Sequence, residues 1–225
     1  MLFLISAPSG SGKSTLVNRI RSLVPGLDFS VSYTTRSPRG SEREGFEYHY
    51  VTREQFQAMV DGGEFLEWAQ VFGNYYGTAA QSLRDARAAG KDLLLDIDVQ
   101  GAAQVREKVA EAVSIFVLPP NPEILSTRLR SRNLAEGGSF GGEIGKRLAK
   151  AKDEIENYRQ YSYILVNDAL DEAVDCLAAI IATERIRRQN GPVDGETARM
   201  IEIAESCRQS NAAGRLRPVL AAFGL

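Results

Sequence analysis

A short run near the amino terminus has the residue types and spacing of a phosphate-binding loop. An apolar segment, Leu2 to Ile5, precedes it, and residues typical of a helix, Leu16 to Ile20, follow it. The loop residues are Ala7, Pro8, Ser9, Gly10, Ser11, Gly12, Lys13, Ser14 and Thr15. In this order, backbone N–H groups and the helix N-terminus point at phosphate oxygens, Lys13 reaches the β- and γ-phosphates, and Ser14 holds Mg²⁺. A plain Gly/Ser-rich turn would explain neither the Lys13–Ser14 pair nor the flanking elements.

One position of this loop departs from the usual pattern. Glycine is expected where the chain has Ala7. Alanine needs a permitted φ and adds a methyl group. We therefore expect the loop to begin in a conformation that tolerates a Cβ atom.

Two arginines around a proline could bind a second phosphate. Arg36 and Arg39 flank Pro38, which stiffens the turn between them. Two guanidinium groups on one loop suit a phosphomonoester, because each can bind two oxygens. Tyr48 and Tyr76 offer hydroxyl groups to the same phosphate. The alternative is a solvated basic turn beside half-buried strand tyrosines.

A carboxylate among large apolar residues could read a nucleobase. Glu67 lies between Leu66 and Trp68, where a carboxylate needs hydrogen-bond donors. Guanine offers N1–H and an exocyclic amine side by side, whereas adenine offers an acceptor at N1. A buried Glu67 would therefore select guanine and leave adenine unpaired. The alternative is a surface glutamate on the polar face of a strand.

Two aspartates lie at the carboxyl end of an apolar strand predicted over Leu93–Ile97. Alternation places Asp96 and Asp98 on one face at the carboxyl end of this strand, the edge where open α/β sheets bind ligands. We expect one of them to assist Mg²⁺ through water and the other to hold the acceptor nucleotide. The alternative is that they cap a helix.

Several arginines flank a glycine-rich stretch at 136–142. They are Arg128, Arg130, Arg132 and Arg147. Phosphoryl transfer depends mostly on positioning and on cations that stabilise the moving group. Arginines on a mobile segment would reach the site only when it closes and excludes water. A solvated helix face is the alternative for any single one of them.

The elements that must position these groups alternate between strand and helix. This alternation predicts an α/β protein with a three-layer α/β/α core and a parallel sheet. We assign the core to residues 1–32 and 79–192, with a mobile lid at about 131–149. A second strand is predicted over Phe29–Ser32, and residues 33–78 are predicted to be a small, mostly β insert that contains a strand over Glu44–Val51. Residues 193–225 are an extension of unknown role, predicted to be a helix on the core or a partly ordered tail.

Composition excludes several classes of protein. The chain has 225 residues, a net charge of −2 and 44% hydrophobic residues, so it is globular and lacks the bulk positive charge of many nucleic-acid-binding proteins. Cys176 and Cys207 are too few for a disulfide framework or a zinc site, so a reducing compartment is expected. No apolar run approaches the ~18 residues of a membrane span, and the apolar start lacks the basic residues of a signal peptide. We therefore expect a cytoplasmic protein that binds neither nucleic acid nor membranes.

Taken together, these motifs resemble those of guanylate kinases of the bacterial type, over roughly residues 2–189. The matching runs are Ser6–Ser14, Thr34–Arg39, Phe65–Trp68, Gly73–Thr78, Leu95–Gly101 and Val166–Asp168. Bacterial members resemble this chain in having alanine at the position of Ala7. The resemblance implies transfer of a phosphoryl group from ATP to GMP, and also to dGMP, with Mg²⁺, on a P-loop core with a GMP-binding insert and a lid.

The resemblance also implies roles for individual residues. Those expected on guanine are Ser32, Glu67, Thr78 and Asp98, and those expected on the GMP phosphate are Arg36, Arg39, Tyr48 and Tyr76. Arg132 and Arg147 correspond to lid arginines that act on the transferring phosphates, and Asn167 and Asp168 would lie near adenine. Family members carry a short acidic run between the two lid arginines, where this chain has a longer, glycine-rich segment at 133–142. Because glycine makes closure entropically costlier, we expect a raised Michaelis constant for ATP.

Two other functions are compatible with parts of the sequence. Some scaffold proteins carry guanylate-kinase-like domains that bind phosphopeptides without catalysis, but such a module does not need Lys13 and Ser14. A P-loop kinase for a phosphorylated sugar would not need Glu67 beside Thr78. The choice between a monomer and a homodimer stays open.

Overall fold

The structure, a computed structural model, describes residues 1–135 and 143–225, except the side chains of residues 132–135, 143, 144 and 146. Its strands are β1 Leu2–Ser6, β2 Leu27–Phe29, β3 Ser32–Thr34, β4 Tyr48–Tyr50, β5 Phe65–Val71, β6 Asn74–Ala79, β7 Asp92–Asp96, β8 Val113–Leu118 and β9 Tyr163–Val166. Its helices are α1 Lys13–Leu23, α2 Arg53–Asp61, α3 Ala80–Ala88, α4 Val99–Lys108, α5 Pro122–Ala135, α6 Glu143–Ile155, α7 Leu170–Gln189, α8 Gly195–Cys207 and α9 Ala213–Ala222, with a 3₁₀ helix over Glu156–Gln160.

A five-stranded parallel sheet flanked by helices confirms the predicted α/β fold class. Its strand order is β2-β7-β1-β8-β9, and the register pairs Leu27 with Asp92 at one end and Ile115 with Tyr163 at the other. The strands β1 and β8 are buried along their whole length, as expected for parallel strands covered on both faces.

A second sheet occupies the region predicted to be mostly β. Its order is β4-β3-β6-β5, and it contains a parallel pair, β3 with β4, and two antiparallel pairs. The helix α2 begins with a capping box, in which Thr52 accepts from the backbone N–H of Gln55 and the side chain of Gln55 accepts from the N–H of Thr52.

Two predicted strands were wrong in extent. The strand expected over Phe29–Ser32 is divided, because β2 ends at Phe29 in the parallel sheet and β3 begins at Ser32 in the other sheet. The strand expected over Glu44–Val51 shrinks to β4. The carboxylate of Glu44 accepts from the backbone N–H of Tyr50 at 2.8 Å, and that of Glu47 accepts from the N–H of Arg43 at 2.6 Å. These bonds fold the segment into a turn.

The described residues form two compact units. One consists of Met1–Leu4 and Gly26–Val113, and the other of Ile5–Pro25 and Ser114–Leu225. The first contains the four-stranded sheet and α4, and the second contains the phosphate-loop segment and the C-terminal helices. The division into core, insert, lid and extension stays a prediction.

The C-terminal residues are helical and pack within the second unit. The helix α8 contacts α7 and β9, and Asp194 caps it by accepting from the N–H of Thr197 at 2.9 Å. Beyond α8, Arg208 forms an antiparallel bridge with Tyr163, and the N–H of Gln209 donates to the carbonyl of Ser162 at 2.9 Å. Across the described residues, no helix combines the length and apolarity that crossing a bilayer would require.

Candidate nucleotide sites

The phosphate loop closes tightly before α1. The N–H of Ser11 donates to the carbonyl of Pro8 at 3.1 Å, and Gly10 and Gly12 have φ values of +89° and +84°, a region that favours glycine. Ala7 is not among the described non-glycine residues with positive φ. Its backbone therefore tolerates a Cβ atom, as expected.

Both of these glycines also lack room for a side chain. A Cβ atom on Gly12 would lie 2.4 Å from the side-chain nitrogen of Asn167, and one on Gly10 would lie 2.9 Å from Leu129. The loop is therefore packed directly against α5 and the residue that follows β9. Close packing of this kind fixes the direction of the loop N–H groups before a ligand arrives.

Two side chains hold the loop from behind. The amide nitrogen of Asn167 donates to the carbonyl of Ser11 at 2.7 Å, and a guanidinium N–H of Arg128 donates to the same oxygen at 3.3 Å and to the carbonyl of Asn167 at 3.1 Å. Asn167 therefore packs against the loop, a contact that the sequence reasoning missed. Among the described residues, the side-chain oxygens of Asn167 and Ser11 are buried and have no hydrogen-bond partner.

The remaining residues predicted to bind ATP differ in their exposure. Lys13 opens α1, Ser14 and Thr15 follow it on the surface, and Asp168 is exposed just after Asn167. Arg147 is half-buried on α6, whereas the side chain of Arg132 lies outside the described residues, as does the glycine-rich part of the predicted lid.

Four residues predicted to contact guanine lie together in the first unit. Glu67 is only 3% exposed and pairs in register with Thr78, whose hydroxyl and N–H donate to its carboxylate. The hydroxyl groups of Ser32 and Thr78 are 3.4 Å apart, and the charge of Asp98 acts on Glu67. The structure therefore excludes the alternative of a surface glutamate.

The carboxylate of Glu67 is held in a destabilising environment. Burial raises its pKa to about 7, with a further increase from the charge of Asp98, and the bonds from Thr78 and the charge of Lys108 only partly oppose this. A Cβ atom on Gly101 would lie 2.3 Å from a carboxylate oxygen of Glu67, so the glycine makes room for this side chain. A buried carboxylate with few donors is suited to accept N–H groups from a ligand.

Asp98 also has the structural role that was the alternative for it. Its carboxylate caps α4 by accepting from the N–H of Gly101 at 2.8 Å, and it accepts from the side chain of Gln100 at 3.2 Å. The cap fixes this carboxylate at the start of α4, beside Glu67.

A second cluster in the same unit is built around a buried arginine. Arg36 is 9% exposed, stacks over the ring of Tyr48 at 5.3 Å and donates a hydrogen bond to Tyr76. The rings of Tyr48 and Tyr76 are 5.7 Å apart. Burial raises the pKa of Tyr48, with a smaller contribution from the charge of Asp96. The structure thus brings together three residues predicted to contact the phosphate, with Asp96 near them.

The sequence reasoning missed the residue that organises this cluster. Glu42 accepts two hydrogen bonds from the guanidinium of Arg36, at 2.9 and 3.0 Å, and also accepts from the N–H of Arg39 at 2.8 Å and the hydroxyl of Tyr50 at 2.9 Å. Burial alone would lower the pKa of Arg36, but the bonds and charge of Glu42 raise it. The pair of arginines around a proline was a visible signal, and the acidic residue three positions after Arg39 could have been added to it.

Known proteins resemble this chain over most of its length. The guanylate kinase family model matches residues 1–184. Guanylate kinase from Koribacter versatilis is 53% identical over 222 residues, which cover 99% of this chain and 95% of the relative. Guanylate kinase from Geobacter metallireducens is 46% identical over 187 residues, covering 83% and 90%. The crystal structure of guanylate kinase from Anaplasma phagocytophilum superposes with a TM-score of 0.67 at 35% identity, covering 82% and 85%.

Proposed function

This chain belongs to the guanylate kinase family and phosphorylates GMP with ATP as the donor, and we propose that the residues described above divide this reaction between a donor site and an acceptor site. The comparisons give no support to a phosphopeptide-binding module without catalysis. The products are ADP and GDP, so one phosphoryl group passes from the γ-position of ATP to the phosphate of GMP.

The donor site is the loop Ala7–Thr15 together with Asn167 and Asp168. Its N–H groups, aligned by the close packing of Gly10 and Gly12, bind the phosphates of ATP, and Lys13 binds the β- and γ-phosphates. Asn167 contributes twice, since its amide nitrogen fixes the loop while its oxygen has no partner within the described residues. Asp168 is the second residue assigned near adenine.

Mg²⁺ fits the donor atoms present, as an ion held mainly by the nucleotide. Among the described residues, no group of three or more His, Cys, Asp or Glu side chains could hold a metal by itself. Mg²⁺ commonly keeps several waters and binds one or two protein oxygens plus phosphates. The hydroxyl of Ser14 would serve here, and the bound ion would neutralise charge on the phosphates.

We assign recognition of the acceptor base to Glu67 and its neighbours Thr78 and Ser32. The burial of the Glu67 carboxylate is the observation that supports GMP as the acceptor. A buried carboxylate beside Thr78 and Ser32 accepts the N1–H and the 2-amino group of guanine. Adenine would leave Glu67 facing an acceptor, which costs the full desolvation of the carboxylate. Asp98 completes the guanine set. The same edge is present in dGMP, so the proposal includes the deoxynucleotide.

The acceptor phosphate is bound by the Arg36 cluster. Arg36 is held along one side by Glu42, and the hydroxyl groups of Tyr48 and Tyr76 lie beside it. Arg39, whose backbone is bound to Glu42, supplies the second guanidinium. A dianionic phosphate suits two guanidinium groups and two phenols.

Catalysis in this scheme is positioning and charge stabilisation. Phosphoryl transfer has little covalent chemistry for side chains to perform, so Lys13, Arg132 and Arg147 act as cations on the transferring group. The assignment of Arg132 and Arg147 rests on the family resemblance. We also place the protein in the cytoplasm, a location that its two free thiols favour.

An assay of ADP release tests the proposal with GMP, dGMP, AMP, CMP and UMP as acceptors. We expect turnover with the two guanine nucleotides and little with the others. Lys13→Ala should abolish turnover while calorimetry still shows GMP binding, because Lys13 belongs to the donor site. Lys91→Ala is the matched control, since Lys91 is a surface lysine paired with Asp28. Near-normal turnover in Lys13→Ala would contradict the donor assignment.

A further inference from the structure

The strand that carries Glu67 is irregular at the residue before it. Phe65 pairs with Ala79 and Glu67 pairs with Thr78, so two steps along β5 match one step along β6. Leu66 is therefore the extra residue of a β-bulge. A bulge bends its strand and changes the direction of a neighbouring side chain, and bulges are frequent beside active sites. The direction of the Glu67 carboxylate thus depends on what holds this bulge.

Two side chains of α4 bind the backbone on both sides of Glu67. The N–H of Trp68 donates to the side-chain oxygen of Gln104 at 3.2 Å, and the side-chain nitrogen of Gln104 donates to the carbonyl of Trp68 at 2.6 Å. Lys108 donates to the carbonyl of Leu66 at 2.6 Å. Because β5 is the last strand of the four-stranded sheet, the amide of Gln104 takes the place of a further strand at this point.

The same helix also contacts the side chain of Glu67. A Cβ atom on Gly101 would lie 2.3 Å from a carboxylate oxygen of Glu67, so the carboxylate lies directly against the first turn of α4. Gly101, Gln104 and Lys108 follow one another at spacings of three and four residues, which places them on one side of the helix. Gln104 is half-buried there. One face of α4 therefore contacts the Glu67 carboxylate and the backbone on either side of it.

We propose that Gln104 is a positioning residue for guanine recognition, because its two hydrogen bonds to Trp68 fix the bulged strand against α4 and so direct the Glu67 carboxylate toward the base. Gln104 acts through Glu67 and does not itself contact the nucleotide. The inference rests on the proposed function, in which Glu67 accepts the N1–H and the 2-amino group of guanine.

The direction of the carboxylate matters most for the second of these two contacts. A carboxylate accepts two adjacent N–H groups only when it lies close to their common plane, since a hydrogen bond weakens steeply as its angle falls. A tilted carboxylate keeps one of the two bonds. Inosine monophosphate (IMP) has the N1–H of GMP and lacks the 2-amino group, so it forms only one bond. Loss of Gln104 should therefore reduce the preference for GMP over IMP.

The test compares GMP and IMP as acceptors for the wild type and for Gln104→Met, which keeps the length of the side chain and removes both hydrogen bonds. We expect the ratio of kcat/KM for GMP to that for IMP to fall about fivefold, while KM for ATP stays unchanged. Gln104→Ala should change the ratio in the same direction. Glu107→Ala, which alters an exposed residue of the same helix, is the matched control and should keep the wild-type ratio.

A double-mutant cycle shows whether Gln104 acts through Glu67. In Glu67→Gln one acceptor oxygen is replaced by a donor, so the preference for GMP over IMP should already be low. Adding Gln104→Met to this variant should change the ratio by less than about twofold. A full fivefold loss in both backgrounds would overturn the proposal, because Gln104 would then act without Glu67.

Failure of this inference can be distinguished from failure of the proposed function. If Glu67→Gln lowers the preference for GMP and Gln104→Met does not, the role of Glu67 stands and only that of Gln104 is overturned. If Glu67→Gln keeps the wild-type preference, both assignments are wrong. Equal losses of kcat/KM for GMP and IMP in Gln104→Met, or unfolding of both Gln104 variants in the absence of denaturant, would give Gln104 a role in the fold alone and would also overturn the proposal.

Discussion

Two glutamates in the first unit, Glu42 and Glu67, differ in how the protein compensates for the burial of their carboxylates, and their pKa values shift in opposite directions. Glu42 accepts four hydrogen bonds, two of them from Arg36, and its pKa lies below the ordinary value, since these donors outweigh its desolvation. Glu67 is more deeply buried and accepts from Thr78, and burial raises its pKa to about 7.

Glu42 therefore has a structural role in the site, whereas Glu67 is suited to bind a ligand. The charge of Glu42 is satisfied within the protein, so its work is to hold Arg36 and Tyr50 in place. Glu67 has two acceptor oxygens and too few donors, so a ligand with two adjacent N–H groups completes its environment. Variants of the two glutamates should therefore fail in different ways.

The largest effect is expected from Glu42→Ala, in the stability of the protein. Removing this carboxylate leaves the guanidinium of Arg36 buried without its counter-ion, so the free energy of unfolding should fall by about 3 kcal/mol. Urea unfolding measures this loss. Glu111→Ala, which removes an exposed carboxylate paired with Arg87, is the matched control and should change stability far less. A Glu42→Ala protein as stable as the wild type would contradict the structural role of Glu42.

A somewhat smaller effect is expected from Glu67→Ala, in the use of GMP. Loss of this partner of guanine should lower kcat/KM for GMP roughly 30-fold, which corresponds to about 2 kcal/mol of transition-state stabilisation. The Michaelis constant for ATP should change little. Steady-state kinetics with each nucleotide varied in turn measures the two effects. An equal loss for ATP and GMP would show that Glu67 supports the fold rather than the base.

A tenfold effect is expected from pH in the binding of GMP. Glu67 can accept both N–H groups of guanine only when its side chain is ionised. Because its pKa is about 7, the affinity for GMP should fall about tenfold between pH 8 and pH 6. Calorimetric titrations across this range measure the change. Glu67→Gln cannot titrate at this position and serves as the control for ionisation of the GMP phosphate. The same slope in both proteins would refute a titrating Glu67.

The two glutamates should also have opposite effects on stability as pH changes. Because the folded pKa of Glu67 is raised, the folded state binds more protons than the unfolded state between about pH 4.5 and 7, and the contribution of Glu67 to stability falls as pH rises through this window. The folded pKa of Glu42 is lowered, so its contribution is present above 4.5 and is lost as pH falls through its folded pKa.

The smallest effect is expected from Lys108→Met, which removes a positive charge near Glu67. Lys108 donates to the carbonyl of Leu66 at 2.6 Å, and its charge is the cation that lowers the pKa of Glu67. Removing it should move the pH profile of GMP binding upward and weaken binding at pH 7 about twofold, which is roughly 0.4 kcal/mol. Lys91→Met is the control in the same unit. An unchanged profile would mean that solvent screens this charge.

Much of the fold could be predicted because its signals are local. The apolar runs of β1, β7 and β8, the capping box of Thr52 and Gln55 and the cap of Asn121 on α5 each act over a few residues. The predicted strand over Glu44–Val51 failed because side-chain carboxylates competed for its backbone N–H groups, and alternation of residue types does not reveal that competition.

The residues of the site could be predicted from their types better than the contacts between them. Arg36 could be identified from its spacing to Arg39. Glu67 could be identified because a charged residue among apolar neighbours is visible in a sequence. The partners Glu42 and Arg128 were not assigned, since nothing local says that Glu42 will meet Arg36 or that Arg128 will reach the carbonyl of Ser11, 117 positions away. Such pairs depend on the tertiary fold.

The antiparallel bridge between Arg208 and Tyr163 has a consequence for solubility. The strand β9 ends the parallel sheet, and an outermost strand with unpaired N–H and C=O groups is a template on which another molecule can add a strand. In this chain, residues 208 and 209 take some of those hydrogen bonds themselves. A protein shortened to residue 192 would lose this cover, and we expect it to aggregate more readily through its outer strand.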